Sequence, residues 1–184
     1  EVCTHHIRLT DEACSEQDPN TKMHPPLRPR SDVEACIAGL FDGTIDCLCT
    51  DHAPHAAEEK SCGFRDAPPG IVGLETSLPL AVTAMTQTGK IDWLWLINRM
   101  STIPAAVLDL PGGSLQAGSP ADVTLIDPGE KWRINPDLFR SKARNTPFGG
   151  WEVTAPESPC VVVGKSAACD GTPRKITHSG DDGA

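Results

Sequence analysis

The sharpest chemical pattern in the sequence is Asp51-His52-Ala53-Pro54-His55, which directly follows the apolar run Thr44-Ile45-Asp46-Cys47-Leu48-Cys49-Thr50. A carboxylate offers a hard oxygen to a divalent metal, or accepts a proton from a water that such a metal polarises. The histidine four residues later can hydrogen-bond a substrate carbonyl or carboxylate. A turn reading competes, with Asp51 capping the backbone and both histidines solvated, and spacing alone leaves the two open. Two further groups are weaker. Thr4-His5-His6 follows a strand-like stretch, and adjacent histidines on a strand point to opposite faces, so at most one would face a given site. His24 stands in Lys22-Met23-His24-Pro25-Pro26-Leu27-Arg28, a proline-rich loop that could line a site, with Lys22 or Arg28 meeting an anion. Each of these also reads as ordinary surface or packing. His178 lies in a polar tail and is expected to have no role.

The elements that must position these residues follow from pattern. Residues 44–50 are a short apolar run rich in strand formers, which predicts a strand buried on both faces. Ahead of it, Ser31 and Glu34 form a capping box, Val33, Cys36, Ile37 and Leu40 recur at helical spacing, and Gly43 ends the helix. Residues 1–9 read as a strand end, and Thr10 as the cap of a short helix over 11–16. Residues 17–30 hold four prolines and exclude a regular element. A loop over 51–70 leads to a helix over 73–88, with Pro79 in its first turn or at a kink. Asp92 falls in the first turn of a helix carrying Trp93, Leu94, Leu96, Ile97 and Met100, and Pro104 starts another to about Leu108. Strands follow at 123–127 and within 150–164. This order predicts βα units of a parallel α/β sheet or barrel over 1–110, a small β appendage over 111–164 and a disordered tail over 165–184. In such folds, sites lie beyond the C-terminal ends of the strands, where the Asp51 loop begins.

Composition removes several classes. A net charge of −9 argues against a nucleic-acid binder or an anionic-membrane binder, both of which need a basic footprint. No apolar run is long enough to cross a membrane. Eight cysteines occur without a CxxC pair, which is neither a zinc-finger pattern nor a disulfide scaffold. They read as free thiols in a reducing compartment, with Cys47 and Cys49 on one face of a strand. There is no phosphate-binding glycine loop and no GxSxG elbow. The chain opens with Glu1 in mid-pattern, which reads as a piece of a longer protein whose site is shared with residues elsewhere.

The residues 42–55 (DGTIDCLCTDHAPH), with EEK at 58–60 and GIVGLETSLPL at 70–80, resemble the dihydroorotase signature of the amidohydrolase superfamily. The resemblance extends to EVCTHHIRLTDEA, DPNTKMHPPLR, GSPADVTLIDP and FRSKARNTPFGGW, and covers about residues 1–163. It implies the C-terminal portion of a metal-dependent (β/α)8 TIM barrel plus part of a small β domain. It further implies a cytoplasmic zinc enzyme of pyrimidine biosynthesis that interconverts dihydroorotate and N-carbamoyl-L-aspartate. In that family zinc polarises the ring carbonyl and lowers the pKa of a water. Asp51 matches the family's metal ligand and proton shuttle, and His55 its substrate-binding histidine. His24 matches a substrate-loop position that usually carries Asn. Pro69 and Gly70 match a segment whose backbone meets substrate, and the position of Pro69 is commonly aromatic. His5 and His6 match no metal ligand. The family's HxH, its substrate arginine and its remaining ligands find no match here, so the isolated chain is expected neither to fold as a native barrel nor to catalyse. Hydantoinases and allantoinases share the pattern more loosely. A non-catalytic subunit scaffolding aspartate transcarbamoylase is a further alternative, and a homo-oligomer is open.

Overall fold

The computed structural model describes residues 1–87, 92–119, 122–154, 157–162 and 165–167. Its N-terminal part is a βαβ unit. Strand β1 (Val2–Cys3) pairs in parallel with β2 (Leu48–Cys49), Val2 opposite Leu48 and Cys3 opposite Cys49. Helix α1 (Arg30–Asp42) lies in the crossover between them. It forms because Val33, Ile37 and Leu40 recur on one face, with Val33 and Leu40 buried. Gly43 ends it at φ 87, as expected, and Asp42 accepts a hydrogen bond from the Thr44 N–H at 2.8 Å. The capping box at Ser31 and Glu34 does not form. The helix starts two residues earlier, with Pro29 in place of Ser31 as its N-cap, and the Ser31 hydroxyl turns to Asp32.

The strand expected over 44–50 is reduced to Leu48–Cys49, because only that stretch runs alongside β1 in a paired ladder. The chain after β1 does not stay extended either. Thr4–Ile7 wind into a 3-10 turn, a second 3-10 turn spans Asp11–Cys14, and Pro19–Thr21 form a third. Thr10 precedes the second turn without a side-chain cap.

Beyond β2 come the short helix α2 (Ala57–Lys60), then α3 (Ser77–Gln87), α4 (Trp93–Ile97) and α5 (Ile103–Val107). Pro79 sits in the first turn of α3, where a missing N–H breaks no helical bond. Asp92 caps α4 by accepting from the Leu94 N–H at 2.9 Å. Five strands follow: β3 (Val123–Ile126), β4 (Lys131–Arg133), β5 (Glu152–Thr154), β6 (Glu157–Val162) and β7 (Lys165–Ala167). β3, β6 and β7 form one antiparallel sheet in that order, and β4 pairs with β5. β7 falls at the start of the segment expected to be a tail. Residues 168–184, His178 among them, lie outside the described residues.

Two apolar clusters meet at α3. Ala81, Val82, Ala84 and Met85 pack with Val2, Leu40, Leu48 and Leu96. Leu80 faces the other way, into a cluster of Leu9, Met23, Leu27, Ile71, Val72, Ile134, Phe139, Phe148 and Val153. A helix apolar on more than one face is the expected centre of such a core. The second cluster joins residues before 80 to residues after 134, so the C-terminal segment packs directly onto the loops that follow β1 and β2. Among the described residues, no helix is long and apolar enough to cross a membrane.

Candidate active site

Asp51 stands where β2 ends. It is exposed, with φ 48, in the left-handed region that few residues other than glycine adopt. Aspartate is among the side chains that tolerate this region best, and backbone strain of this kind concentrates at functional positions. The field of Asp51 also reaches back to His5 and Cys3.

His52, next in the segment, is structural support. The His52 ring accepts at Nδ1 from the Gly73 N–H at 3.1 Å and the Leu74 N–H at 3.4 Å. His52 also bridges in parallel to Ile71, and the Ala53 N–H donates to the Ile71 carbonyl at 2.8 Å. His52 is therefore neither a solvated loop residue nor available to a ligand at Nδ1. It fixes the approach to α3, and Gly73 completes that junction because a Cβ there would lie 2.8 Å from the Thr50 carbonyl oxygen.

His55 is half-buried and held on three sides. Its N–H donates to Asn145 Oδ1 at 3.1 Å, and Nε2 donates to the Pro69 carbonyl at 3.1 Å, since a carbonyl can only accept. Nδ1 faces the Glu59 carboxylate at 3.6 Å. Pro69 and Gly70 are thus brought to His55 directly. The Gly70 N–H donates to the Lys22 carbonyl at 2.8 Å, which ties this segment to the loop carrying His24. His24 itself is exposed and precedes a cis peptide to Pro25, and His6 Nε2 donates to the Pro25 carbonyl at 2.9 Å. The loops of His24, His55, Pro69 and Gly70 form one hydrogen-bonded assembly, joined to Asp51 through the His52 bridge.

Lys22 and Arg28, offered by the sequence as anion contacts, are engaged elsewhere. Lys22 Nζ donates to the Arg65 and Ala67 carbonyls, both at 2.7 Å, and Arg28 pairs with Asp32 at 2.8 Å. Lys60 is buried, and its ammonium donates to the Pro19 carbonyl at 3.0 Å and the Pro68 carbonyl at 2.8 Å. These lysines act as cross-braces of the loops. Burial lowers the Lys60 pKa below its ordinary value.

Asn145 is the residue that sequence reading missed. Its amide nitrogen donates to the Ala53 carbonyl at 2.9 Å and the Gly70 carbonyl at 3.1 Å, while its Oδ1 holds the His55 N–H. Its backbone carbonyl accepts from the Val72 N–H at 3.0 Å. One buried side chain therefore clamps the DHAPH loop to the Pro69-Gly70 loop. No local signal marks it, since its partners lie between 75 and 92 residues away. Nearby, Glu75 is buried and accepts from the Ser141 N–H and hydroxyl at 2.6 Å each. Burial pushes its carboxyl upward, but the Ser141 donors, its own backbone and His52 outweigh that and hold it below the ordinary value.

The paired histidines also differ from expectation. In the 3-10 turn they do not alternate across a strand, and the His5 and His6 rings meet tilted at 54° with centroids 4.3 Å apart. Burial, reinforced by His6 and only partly offset by Asp51, pushes His5 down to about 4. The contact between the two thiols holds Cys3 below the ordinary thiol value and, together with burial, raises Cys49. Cys3, Cys14, Cys36, Cys47, Cys49 and Cys62 are free thiols. A cavity of about 360 Å³ borders His55 together with Asn20, Lys60, Lys142, Arg144 and Asn145. The larger opening of about 410 Å³ lies between α4 and β3, away from Asp51.

The amidohydrolase family model matches residues 4–155, which is most of the chain and includes the whole loop assembly. The chain belongs to the amidohydrolase family. Among its relatives, a dihydroorotase of Shouchella clausii is 47% identical over 166 residues, covering 90% of this chain and 39% of that protein. A dihydroorotase of Brevibacillus brevis is 50% identical over 152 residues, covering 82% of this chain and 36% of that protein. An L-hydantoinase (dihydropyrimidinase) from Arthrobacter aurescens superposes with a TM-score of 0.84 at 30% identity, over 94% of this chain and 39% of that one. The chain thus spans about two-fifths of the length of the curated relatives it matches. The amidohydrolase fold is an α/β TIM barrel, and the β1–α1–β2 unit is part of that barrel.

Proposed function

We propose that the protein containing this chain is a metal-dependent dihydroorotase. It opens and closes the cyclic amide of dihydroorotate, giving N-carbamoyl-L-aspartate in pyrimidine biosynthesis. The observation that carries this reading is the Asp51 carboxylate, exposed and left-handed at the end of β2, in a chain 47% identical to a dihydroorotase.

The donor chemistry of Asp51 fits a divalent ion: a hard, exposed carboxylate oxygen at a strand end. Asp51 is the one ligand of the dihydroorotase pattern within this chain, and zinc is the ion we assign. When bound, zinc supplies Lewis-acid polarisation of the ring carbonyl and a more acidic water. The chain's own residues do the rest. Asp51 takes up the water proton and returns it to the departing ring nitrogen, a role its exposure allows. His55, positioned by Asn145, binds the substrate carboxylate or carbonyl by turning its Nε2–H to it from the Pro69 carbonyl. The Pro69-Gly70 backbone lies beside it, and His24 offers an imidazole where a carboxylate-binding amide is usual. The enzyme is assigned to the cytoplasm, acts on a small molecule, and works as a homo-oligomer or beside aspartate transcarbamoylase.

The L-hydantoinase superposition favours a second reading, a cyclic amidohydrolase of hydantoin-like rings. The experiment assays the full-length protein with dihydroorotate and with hydantoin, alongside Asp51→Ala. Dihydroorotate turnover lost in Asp51→Ala supports the proposal, and turnover within about tenfold of wild type in that variant removes Asp51 from the chemistry. Preference for hydantoin selects the second reading. Neither turnover nor zinc, with binding to aspartate transcarbamoylase, marks a scaffold subunit.

A further inference from the structure

We propose that Cys3, Cys49, His5 and His6 form a binding site for a thiophilic d10 ion of the Zn²⁺ class, built where β1 and β2 end side by side. The parallel register sets Cys3 directly opposite Cys49, and their sulfurs lie 3.4 Å apart. Two thiolates bound tetrahedrally to one zinc ion sit roughly 3.8 Å apart, given a Zn–S length of about 2.3 Å. The pair is therefore already near the required separation. Cys3, His5 and His6 each bring one donor atom to within 4.8 Å of the others, and Cys49 Sγ, outside that group of three, adjoins it through its 3.4 Å contact with Cys3.

Two details of the histidines point to a ligand. His5 is only 2% exposed, yet its Nε2 has no hydrogen-bond partner, which a buried imidazole nitrogen ordinarily requires. His6 donates Nε2–H to the Pro25 carbonyl, which fixes the tautomer and leaves Nδ1 with its lone pair. A backbone carbonyl holding the second nitrogen of a ligating histidine is the usual outer support of a metal site. Thiol packing alone accounts for the sulfur contact but leaves both histidine features unexplained. Soft sulfur and imidazole donors select zinc-like ions over Mg²⁺ or Ca²⁺. On binding, the two thiol protons pass to solvent, and the resulting centre of one divalent ion and two thiolates is neutral, which suits a half-buried place.

The site was invisible in the sequence because Cys3 and Cys49 are 46 residues apart and meet only through the register of β1 and β2. The test uses the full-length protein, stripped by a chelator and titrated with Co²⁺. The expected result is a near-ultraviolet thiolate-to-cobalt charge-transfer band that Asp51→Asn and Cys62→Ser retain and that Cys3→Ser and Cys49→Ser lose. A cobalt-loaded protein without that band, or a band that survives Cys3→Ser and Cys49→Ser, overturns the proposal. A second measurement needs no variant: alkylation of Cys3 and Cys49 in wild type, read by peptide mass spectrometry, slows by about tenfold or more with Zn²⁺. Equal alkylation with and without Zn²⁺ overturns the proposal as well.

Discussion

Replacing Gly70 with alanine tests how tightly the two site loops are locked together. Gly70 has φ +109, and a Cβ built on it would lie 2.6 Å from Ala53 Cβ and 3.6 Å from His55 Nε2. The first contact is shorter than carbon atoms tolerate, so something must move. The backbone on both sides is pinned. The Gly70 N–H is bonded to the Lys22 carbonyl, the Ala53 N–H to the Ile71 carbonyl, and both residues' carbonyls to the Asn145 amide. A positive φ costs an L-residue about 1–2 kcal/mol, and overpacking about 1–3 kcal/mol. Gly70→Ala should therefore destabilise by roughly 3 kcal/mol, about two decades in the unfolding equilibrium. Urea unfolding of the full-length protein reads this as a lower midpoint at unchanged slope. The same displacement pushes Pro69 and its bond to His55, so KM for the cyclic amide should rise. Adding Ala53→Gly removes the 2.6 Å contact but leaves the φ strain, so the double variant should recover part of the loss. A single variant within about 0.5 kcal/mol of wild type would refute the reasoning, as would a double variant no better than the single one.

Other outcomes follow from the same geometry. Asn145→Asp, which keeps the shape but turns the amide donor into an acceptor facing the Ala53 and Gly70 carbonyls, should cost about 2–4 kcal/mol in denaturant unfolding; wild-type stability would deny Asn145 its clamping role. His55→Ala should raise KM more than it lowers kcat if His55 mainly holds the ground state, and a pure kcat loss at constant KM would contradict that. His24→Asn should leave substrate binding unchanged or tighter, and a large loss would give the imidazole its own role. With metal removed, stability should fall as pH drops below 6.5. The unfolded chain then takes up a proton that buried His5, with its pKa near 4, refuses. The loss reaches roughly 2 kcal/mol by pH 5 and levels off below about 4. Glu75 is the opposite kind of group: its depressed carboxyl stabilises above the ordinary carboxylate pKa, and that share is lost only as pH falls through its lower folded value. A His5→Asn variant with an undiminished pH slope between 7 and 5 would exclude His5 as the source.

The sequence alone determined the helices α1, α3 and α4 and the position of Asp51 at a strand end, but not the short helix α2 or the strand β4. Helical spacing and Gly43 delimit α1, Pro79 and Asp92 mark helix starts, and the TIDCLCT run locates the strand end that carries the carboxylate. These features are local: periodicity, capping and proline geometry act within a few residues, so they are legible in order along the chain. What the tertiary structure decided is which distant groups meet. His52 reads in sequence as a second imidazole of the motif, but the fold spends it on the Gly73 and Leu74 N–H groups. Lys22 reads as an anion contact, yet carbonyls of a loop more than forty residues away take its ammonium. Asn145 looks like any polar loop residue until the C-terminal segment packs back and lays it between Ala53, His55 and Gly70. Cys3 and Cys49 become a pair only through a parallel register that follows from how two strands bury their apolar neighbours, Val2 and Leu48, against α3. Long-range hydrogen bonds and strand register depend on the whole packing, and no local pattern of residues encodes them.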